Sequence, residues 1–278
     1  MNTYKAEYRR GIALLTEAGV PDASVDAWYL LEHVTGLSKA AYFLKEEEAM
    51  PEAEQLCYEE LLNKRAERIP LQYITGVQEF MGFEFCVSEA TLIPRQDTEV
   101  LVEEAMKTAE GKRVLDLCTG TGCIIISLAK LLGLSYAVGT DISREAVETA
   151  RKNAEALGAD VSFFCGDLFQ ALPQTEAFDV IVSNPPYIPS EEIECLMPEV
   201  REHEPMTALD GDTDGLKFYR EIIRESKKYL KENGQIFFEI GCEQAEDLRM
   251  LLEAEGFTEI HVKKDYAGLD RVVSAVRS

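Results

Sequence analysis

Asn184-Pro185-Pro186-Tyr187 gathers carbonyl acceptors, one carboxamide and one aromatic face within four residues. It follows the apolar run Phe178-Asp179-Val180-Ile181-Val182-Ser183, which has the length and composition of a buried strand. Proline has no backbone N–H and a fixed φ, so the strand cannot continue, and the residue before each proline is driven to extended geometry. The expected result is a stiff corner just past the carboxyl end of a strand, where open α/β sheets place their ligands. A proline-rich surface loop is the alternative, and the residues upstream decide between the two.

Three earlier strand ends supply the context. Val114-Leu115-Asp116-Leu117 runs into Cys118-Thr119-Gly120-Thr121-Gly122 and then an apolar helix. Glycines permit a tight turn and close approach to a ligand, and a helix N-terminus favours carboxylate or hydroxyl groups. With only two glycines, the run is not the G-x-G-x-x-G dinucleotide fingerprint. About twenty residues further on, Asp141 ends the next strand, where a carboxylate can accept from both hydroxyls of a ribose. Alternatively Asp141 or Ser143 caps the following helix, or each residue fills one of the two roles. Asp167 closes the third strand, where a carboxylate beside apolar side chains can hold an adenine amino group and ring face. Turn, ribose acceptor and base pocket therefore precede the Asn184 corner in order. A plain strand-to-helix turn explains the first alone; it does not explain the series.

The elements that must position these residues alternate strand and helix from Lys112 onward, the signature of a largely parallel sheet covered on both faces. Strands are expected at Arg113–Leu117, Tyr136–Thr140, Val161–Cys165, Phe178–Val182, Gln235–Ile240, Glu259–Lys263 and Arg271–Ala275. Helices are expected at Cys123–Leu132, Arg144–Leu157, Gly215–Lys231 and Glu243–Glu255. Upstream, Tyr4, Tyr8, Ile12 and Leu15 recur at helical spacing before Gly19-Val20-Pro21. A second helix begins near Asp22 or Ser24, and a third follows Pro51 with Tyr58, Leu62, Ala66 and Ile69 on one face. Gly76, Phe80, Gly82, Phe83, Phe85 and Val87 read as a short hairpin or an extended connector, and Asp97 or Thr98 can cap a helix from Val100 to Thr108. The division is a helical bundle at 1–72, a β-hairpin linker at 73–94 and an α/β domain at 95–278.

Composition narrows the functions open to this chain. Of its 278 residues, 46% are hydrophobic and 28% charged, as in an ordinary globular protein. A net charge of −23 with no evident Lys/Arg cluster argues against non-specific duplex binding. No apolar run is long enough to span a bilayer, and no secretory signal is evident, so a cytoplasmic location is expected. The seven cysteines form no C-x-x-C pair, and several lie in apolar runs, so buried reduced thiols are expected. The three histidines lack metal spacing, and no metal is expected.

The nucleoside-binding order resembles class I S-adenosylmethionine (SAM)-dependent methyltransferases, and Asn-Pro-Pro-Tyr resembles the motif of enzymes that methylate exocyclic or amide nitrogens. Further runs narrow the match: Pro70-Leu71-Gln72-Tyr73-Ile74-Thr75-Gly76, Leu92-Ile93-Pro94-Arg95-Gln96-Asp97-Thr98-Glu99, Glu204-Pro205, Ala208-Leu209-Asp210-Gly211, Asp214-Gly215, Phe238-Glu239-Ile240-Gly241 and Ala267-Gly268-Leu269-Asp270-Arg271. Together they are similar to HemK/PrmC-type peptide chain release factor N5-glutamine methyltransferases. That resemblance implies a Rossmann-like seven-stranded sheet with its last strand antiparallel, after an N-terminal bundle that recognises release factors. It implies SAM as cofactor and class 1 release factors as protein substrate, without DNA, and the enzyme is expected to be a monomer. Thr119, Gly120, Thr121 and Gly122, with the backbone at Cys118, would contact SAM; Asp141 would hold the ribose, and Asp167 and Leu168 the adenine side. Asn184, beside the cofactor, would act with Pro185, Pro186 and Tyr187 on the glutamine. Cys118 stands where family members often carry glycine, and Leu168 where some carry an aromatic residue.

An amide nitrogen is a poor nucleophile, and the motif holds no obvious general base. Positioning is the expected route: Asn184 and the Pro185 carbonyl each accept one substrate N–H while Tyr187 stacks on the amide. Glu204 and Arg271 are read as structural or as shaping the substrate site. Two other readings use the same residues, a DNA adenine-N6 or cytosine-N4 methyltransferase acting on a flipped base, and a SAM-binding module without catalysis.

Overall fold

The computed structural model describes residues 2–172 and 177–278. The chain forms two compact units, one of residues 1–76 with 197–203 and one of residues 77–196 with 204–278.

The first unit is helical: α1 (Tyr4–Glu17), α2 (Ala23–Thr35), α3 (Lys39–Lys45), α4 (Glu52–Ala66) and α5 (Leu71–Thr75). Thr3 and Ser38 cap α1 and α3 with their side chains, and Gly36 and Gly76 close α2 and α5 in the left-handed region that favours glycine. Leu15, Leu30, Leu31, Tyr58 and Leu62 are fully buried around Trp28. The bundle continues past the expected boundary at 72, because Pro70 starts a helix as well as stopping one. It also takes in residues 197–203, held by charge rather than by apolar spacing, which is why sequence periodicity does not show it. Arg65 Nε donates to Asp26 Oδ2 at 2.7 Å and its Nη2 to Glu199 Oε1 at 2.8 Å, while Arg68 forks onto both Glu199 oxygens at 2.7 and 2.6 Å.

The second unit opens with an antiparallel hairpin, β1 (Val77–Phe80) and β2 (Phe83–Cys86), followed by α6 (Glu99–Ala109). Phe80 and Phe85 are buried in the same cluster as α6, so the hairpin is part of this unit's core and not a bare linker. Asn153 secures it further, accepting from Cys86 N at 2.8 Å and donating to Cys86 O at 3.0 Å. Then come β3 (Arg113–Leu117), α7 (Cys123–Leu131), β4 (Tyr136–Asp141), α8 (Arg144–Leu157), β5 (Ser162–Cys165) and β6 (Phe178–Ser183). After the short helices α9 (Pro198–His203, in the helical unit) and α10 (Met206–Leu209) follow α11 (Lys217–Ser226), β7 (Leu230–Glu239), α12 (Ala245–Ala254), β8 (Phe257–Lys264) and β9 (Asp270–Arg277).

The seven-stranded sheet has the order β5-β4-β3-β6-β7-β9-β8, parallel except for β9, which is antiparallel to both its neighbours. Residues alternate between faces as strand geometry requires. Val114, Val180, Val182 and Phe237 join the cluster under α6, α7 and α8, and Leu115, Ile181, Ile236 and Phe238 join the cluster under α11 and α12.

Three sequence expectations need correcting. The helix expected to run to Lys231 stops at Ser226, and β7 starts at Leu230, because the buried Leu230 continues a helical spacing although its backbone pairs with Phe178. Thr98 has helical backbone geometry and does not cap α6; its side chain is directed elsewhere. The cysteines are free thiols, but only Cys123 is buried; Cys57, Cys86, Cys165, Cys195 and Cys242 are exposed. An apolar neighbourhood in sequence did not reveal that Cys86 and Cys165 end their strands on an outward face.

Candidate active site

The carboxyl ends of β3, β4, β5 and β6 open onto one cleft of ≈ 310 Å³. Cys118, Thr119, Gly120 and Thr121 line it after β3, Asp141 after β4, Asp167 and Leu168 after β5, and Asn184 and Pro186 after β6. The residues singled out from four separate strand ends thus meet at one place, as the topology of an open parallel sheet requires.

The turn after β3 is held from below. Thr119 N donates to Thr140 O at 3.0 Å, and the Thr119 hydroxyl donates to Asp116 Oδ2 at 2.6 Å. Cys118 sits at φ 59° and Gly120 at φ 55°; the left-handed region suits glycine and strains cysteine. A Cβ on Gly120 would meet no other heavy atom within 4 Å, so this backbone is open to the cleft. Gly122 does not line the cleft: a Cβ there would lie 2.8 Å from Ile126 and 3.2 Å from Ala150, so it lets α7 pack under the turn. Although part of Cys118 faces the cleft, enclosure raises its thiol well above the ordinary range, with the Asp141 and Asp116 carboxylates adding to the effect.

Asp141 is oriented before any ligand arrives. Its Oδ2 accepts from Gly120 N and its Oδ1 from Ser143 N, both at 2.9 Å. Burial raises its carboxyl, and the backbone donors at Ser143, Gly120 and Ile142 oppose the shift. Ser143 is the cap of α8, accepting from Ala146 N, so the helix cap and the candidate ribose acceptor are different residues. With three backbone donors on about four lone-pair sites, the Asp141 carboxylate keeps an acceptor for a hydroxyl. Asp167 accepts from Gln170 Nε2 at 3.3 Å, and Leu168, at φ 47°, offers its carbonyl to the Thr140 hydroxyl at 3.2 Å.

The Asn184 corner is packed from behind by the turns that follow it. Ile188 N donates to Leu209 O at 3.0 Å, Gly211 N to Ile188 O at 2.9 Å, and Gln244 Nε2 to Tyr187 O at 2.9 Å. A Cβ on Gly215 would lie 2.3 Å from Tyr187 O and one on Gly211 2.8 Å from Tyr187 Cα, which explains the two glycines of the 208–215 run. Pro185 and Pro186 are buried and Asn184 is half-buried. Tyr187 packs against the apolar cluster of α11 and β7, and its hydroxyl donates to Glu239 Oε1 at 3.3 Å. Pro185 and Tyr187 back the corner rather than line the cleft. Asn184 Nδ2 donates to Thr98 Oγ1 at 3.4 Å; among the described residues Asn184 Oδ1 accepts no hydrogen bond.

Glu204 and Arg271 brace this region. Glu204 pairs with Arg95 and accepts from Ile93 N at 3.4 Å, while Arg271 donates to Asp265 Oδ2 at 3.0 Å and to Ile240 O at 3.3 Å. Sequence reasoning missed the burial of Asp116, Thr98 and Glu239 beside the site. All are buried polar residues inside runs otherwise read as structural. Burial pushes Asp116 up to about 7, against the hydrogen bond from Thr119, and its Oδ1 has no hydrogen-bond partner among the described residues. A buried carboxylate in an apolar strand is the available signal, since strands seldom bury one without a task. Among the described residues no three His, Cys, Asp or Glu side chains gather to ligate a metal, and no helix is long and apolar enough to cross a membrane.

The sheet order, the antiparallel β9 and a cleft across the ends of β3 to β6 define a class I SAM-dependent methyltransferase. Its solved relatives by shape include a methyltransferase from Pyrococcus furiosus (TM-score 0.55, 16% identity, covering 71% of this chain and 90% of that one). Another is a 16S rRNA N2 G1207 methyltransferase from Thermus thermophilus (TM-score 0.52, 20% identity, 73% and 50%). The residues fit SAM: an open glycine turn, a carboxylate fixed at the end of the next strand, and an acidic residue with apolar neighbours beyond it. A methyltransferase domain model matches residues 108–268, and a PrmC N-terminal domain model matches residues 8–76. The release factor glutamine methyltransferase of Geobacter sulfurreducens is 44% identical over 260 residues, 93% of this chain and 91% of the relative. That of Agrobacterium fabrum is 40% identical over 281 residues, 98% and 96%. The chain belongs to the release factor glutamine methyltransferase family.

Proposed function

We propose that this enzyme transfers a methyl group from SAM to the side-chain amide nitrogen of the glutamine in the Gly-Gly-Gln motif of class 1 peptide chain release factors, in the cytoplasm. The supporting observation is Asn184, which shares a cleft with the Thr119–Thr121 turn and Asp141 and engages its own N–H with Thr98. Its Oδ1 is the acceptor for one substrate amide N–H. The Pro185 carbonyl, which has no backbone partner among the described residues, accepts the other. Two acceptors on one nitrogen aim its lone pair and stabilise the positive charge that develops there as the new N–C bond forms. Tyr187, outside the cleft lining and anchored through its hydroxyl, holds the corner in place from behind. Thr119, Gly120, Thr121 and the Cys118 backbone hold SAM, Asp141 holds the ribose, and Asp167 and Leu168 flank the base. Bound SAM supplies an electrophilic sulfonium methyl.

The helical unit is assigned to release factor recognition, and its match to the PrmC N-terminal domain supports this. The net charge of −23 disfavours a DNA substrate. The deciding experiment incubates the enzyme with methyl-labelled SAM and either a release factor or duplex DNA, then maps the label by mass spectrometry. Label on the Gly-Gly-Gln glutamine is expected; label on DNA, or on neither substrate, overturns the reading.

A further inference from the structure

A groove of ≈ 590 Å³ lies within the helical unit, formed by α1, α2 and α3. Its floor is aromatic. Tyr8, Trp28 and Tyr42 meet edge to face, with ring centroids 6.1 Å (Tyr8–Trp28), 5.8 Å (Tyr8–Tyr42) and 5.3 Å (Trp28–Tyr42) apart. The Tyr8 hydroxyl donates to Ser24 O at 3.0 Å, so this floor is fixed before anything binds. The bundle leaves the walls uncovered: Val25, Tyr29 and Phe43 line the groove at 48, 51 and 70% exposure. Apolar side chains scattered singly over a surface need no explanation, whereas a patch of them around one concavity marks an interaction site.

Charge defines what the groove takes. Lys5 at its edge is already spent, its Nζ lying 2.8 Å from Glu46 Oε1 and 2.7 Å from Glu47 Oε1. Arg9 and Lys39 also line the groove; both are exposed, and among the described residues neither forms an ion pair. Lys39 Nζ stands 5.9 Å from the Trp28 ring centroid, so one open cation lies directly beside the aromatic floor. In a chain with 51 acidic and 28 basic residues, two open cations beside exposed rings suit carboxylates presented together with an apolar side chain. A polyanion such as RNA fits less well, because the Glu46-Glu47-Glu48 run begins at the groove's edge and repels a continuous phosphate chain. A second copy of this chain brings its own net charge of −23, which opposes self-association.

We propose that this groove docks an acidic segment of the release factor surface, with carboxylates on Arg9 and Lys39 and a large apolar side chain against Tyr29 and Phe43. This rests on the reading of release factors as the substrate, and it adds the surface and the chemistry by which the helical unit recognises them. Contacts made by a part of the substrate that does not react are equal in the ground and transition states, so they act on KM and leave kcat alone.

The test follows methyl transfer to an intact release factor by steady-state kinetics at low and high salt, with SAM affinity measured by calorimetry. Arg9→Glu/Lys39→Glu should raise KM for the release factor by roughly 10- to 30-fold at low salt and flatten its salt dependence. Phe43→Ala, at an exposed position, should raise KM by about 10-fold at either salt concentration, the scale of losing one apolar anchor. In both variants kcat and the SAM Kd should stay within about two-fold of wild type. Lys64→Glu/Lys228→Glu makes the same change in net charge at exposed positions outside the groove and should leave KM unchanged. Wild-type KM in the groove variants, an equal rise in the control pair, or a loss confined to kcat would overturn the inference. Transfer RNA bound by the wild type and lost in the variants, or a dimer in sedimentation that the variants dissolve, would give the groove another occupant and overturn it as well. If the wild-type enzyme leaves the release factor glutamine unlabelled, the reading beneath falls and this inference with it. If the wild type labels it and the groove variants keep its KM, the inference falls alone.

Discussion

Glu199 in the helical unit and Glu239 in the α/β unit are 8% and 2% exposed, and their carboxyls are displaced in opposite directions. Burial works to raise both. At Glu199 the Arg68 and Arg65 guanidiniums outweigh it and pull the group down to about 2. At Glu239 burial prevails over Thr98, Arg271 and Tyr187, and the group is raised. Both Glu199 oxygens are occupied by arginine donors, whereas Glu239 Oε2 has no hydrogen-bond partner among the described residues. A carboxylate saturated by cations closes a structure, since nothing remains on it to offer. One held by weaker neighbours costs stability and retains an acceptor, as is found where a site needs a defined hydrogen-bond direction. The difference separates an anchor saturated by cations from a buried carboxylate that lies behind the Asn184 corner, where it receives the Tyr187 hydroxyl.

The largest expected effect falls on the functional side. Asn184→Ala should reduce methyl transfer by about 10³-fold or more, the scale of losing a transition-state hydrogen bond in a preorganised site. SAM binding should remain measurable by calorimetry. Turnover near wild type would remove the ground for treating this region as functional.

Next is Glu199→Gln, which should leave the buried Arg65 and half-buried Arg68 guanidiniums short of a counter-charge and cost the helical unit about 3 kcal/mol at neutral pH. Trp28 is the single tryptophan and lies in that unit's core, so its fluorescence during urea unfolding reports the loss directly. The pH dependence has a definite sign. A carboxyl at about 2 in the folded state and 4.5 unfolded contributes stability that is complete above 4.5 and disappears as pH falls toward 2. The gap between wild type and variant should therefore close on acidification through that window. A gap that persists to the lowest pH would assign the loss to packing instead of charge.

Asp141→Ala should weaken SAM binding by roughly 10- to 100-fold, the worth of one or two hydrogen bonds to a charged acceptor. The Trp28 transition should not move. Unchanged SAM affinity would contradict the ribose role.

The same contrast explains what was legible beforehand. Local signals were sufficient for α8, where the Ser143 cap, a helical apolar stripe and Gly158 mark both ends, and for β3, a short apolar run before a turn. The site's outline was legible too, because a parallel sheet brings successive strand ends to one edge and those ends carried Thr119, Asp141, Asp167 and Asn184. Long-range charge was not legible. Glu199 meets Arg65 from 134 positions away, and no periodicity announces the pairing. Thr98 read as a helix cap because Thr before an apolar run usually is one. Its hydroxyl is instead spent on Asn184, 86 positions away. Such residues are chosen by the fold's closure and not by their neighbours in sequence.

The smallest expected effect compares strain in the two regions. Each holds a non-glycine residue in the left-handed region, Arg68 at φ 67° in the bundle and Cys118 at φ 59° in the cofactor turn. That geometry costs an L-residue roughly 1–2 kcal/mol. At Arg68 the forked bond to Glu199 offsets it, so Arg68→Gly should destabilise despite relieving the backbone. Cys118 has no such ion pair. Cys118→Gly gains the backbone relief, gives back about half of it to the freedom of glycine in the unfolded chain and loses the thiol's packing, so its net change should stay within about 1 kcal/mol. Cys118→Ala keeps the strain and loses the thiol's packing, and should therefore be less stable than Cys118→Gly by about 1 kcal/mol. Denaturant unfolding followed by far-ultraviolet circular dichroism ranks the two variants. Alanine equal to or better than glycine would show that the turn after β3 carries no strain, and that the two regions differ in charge alone.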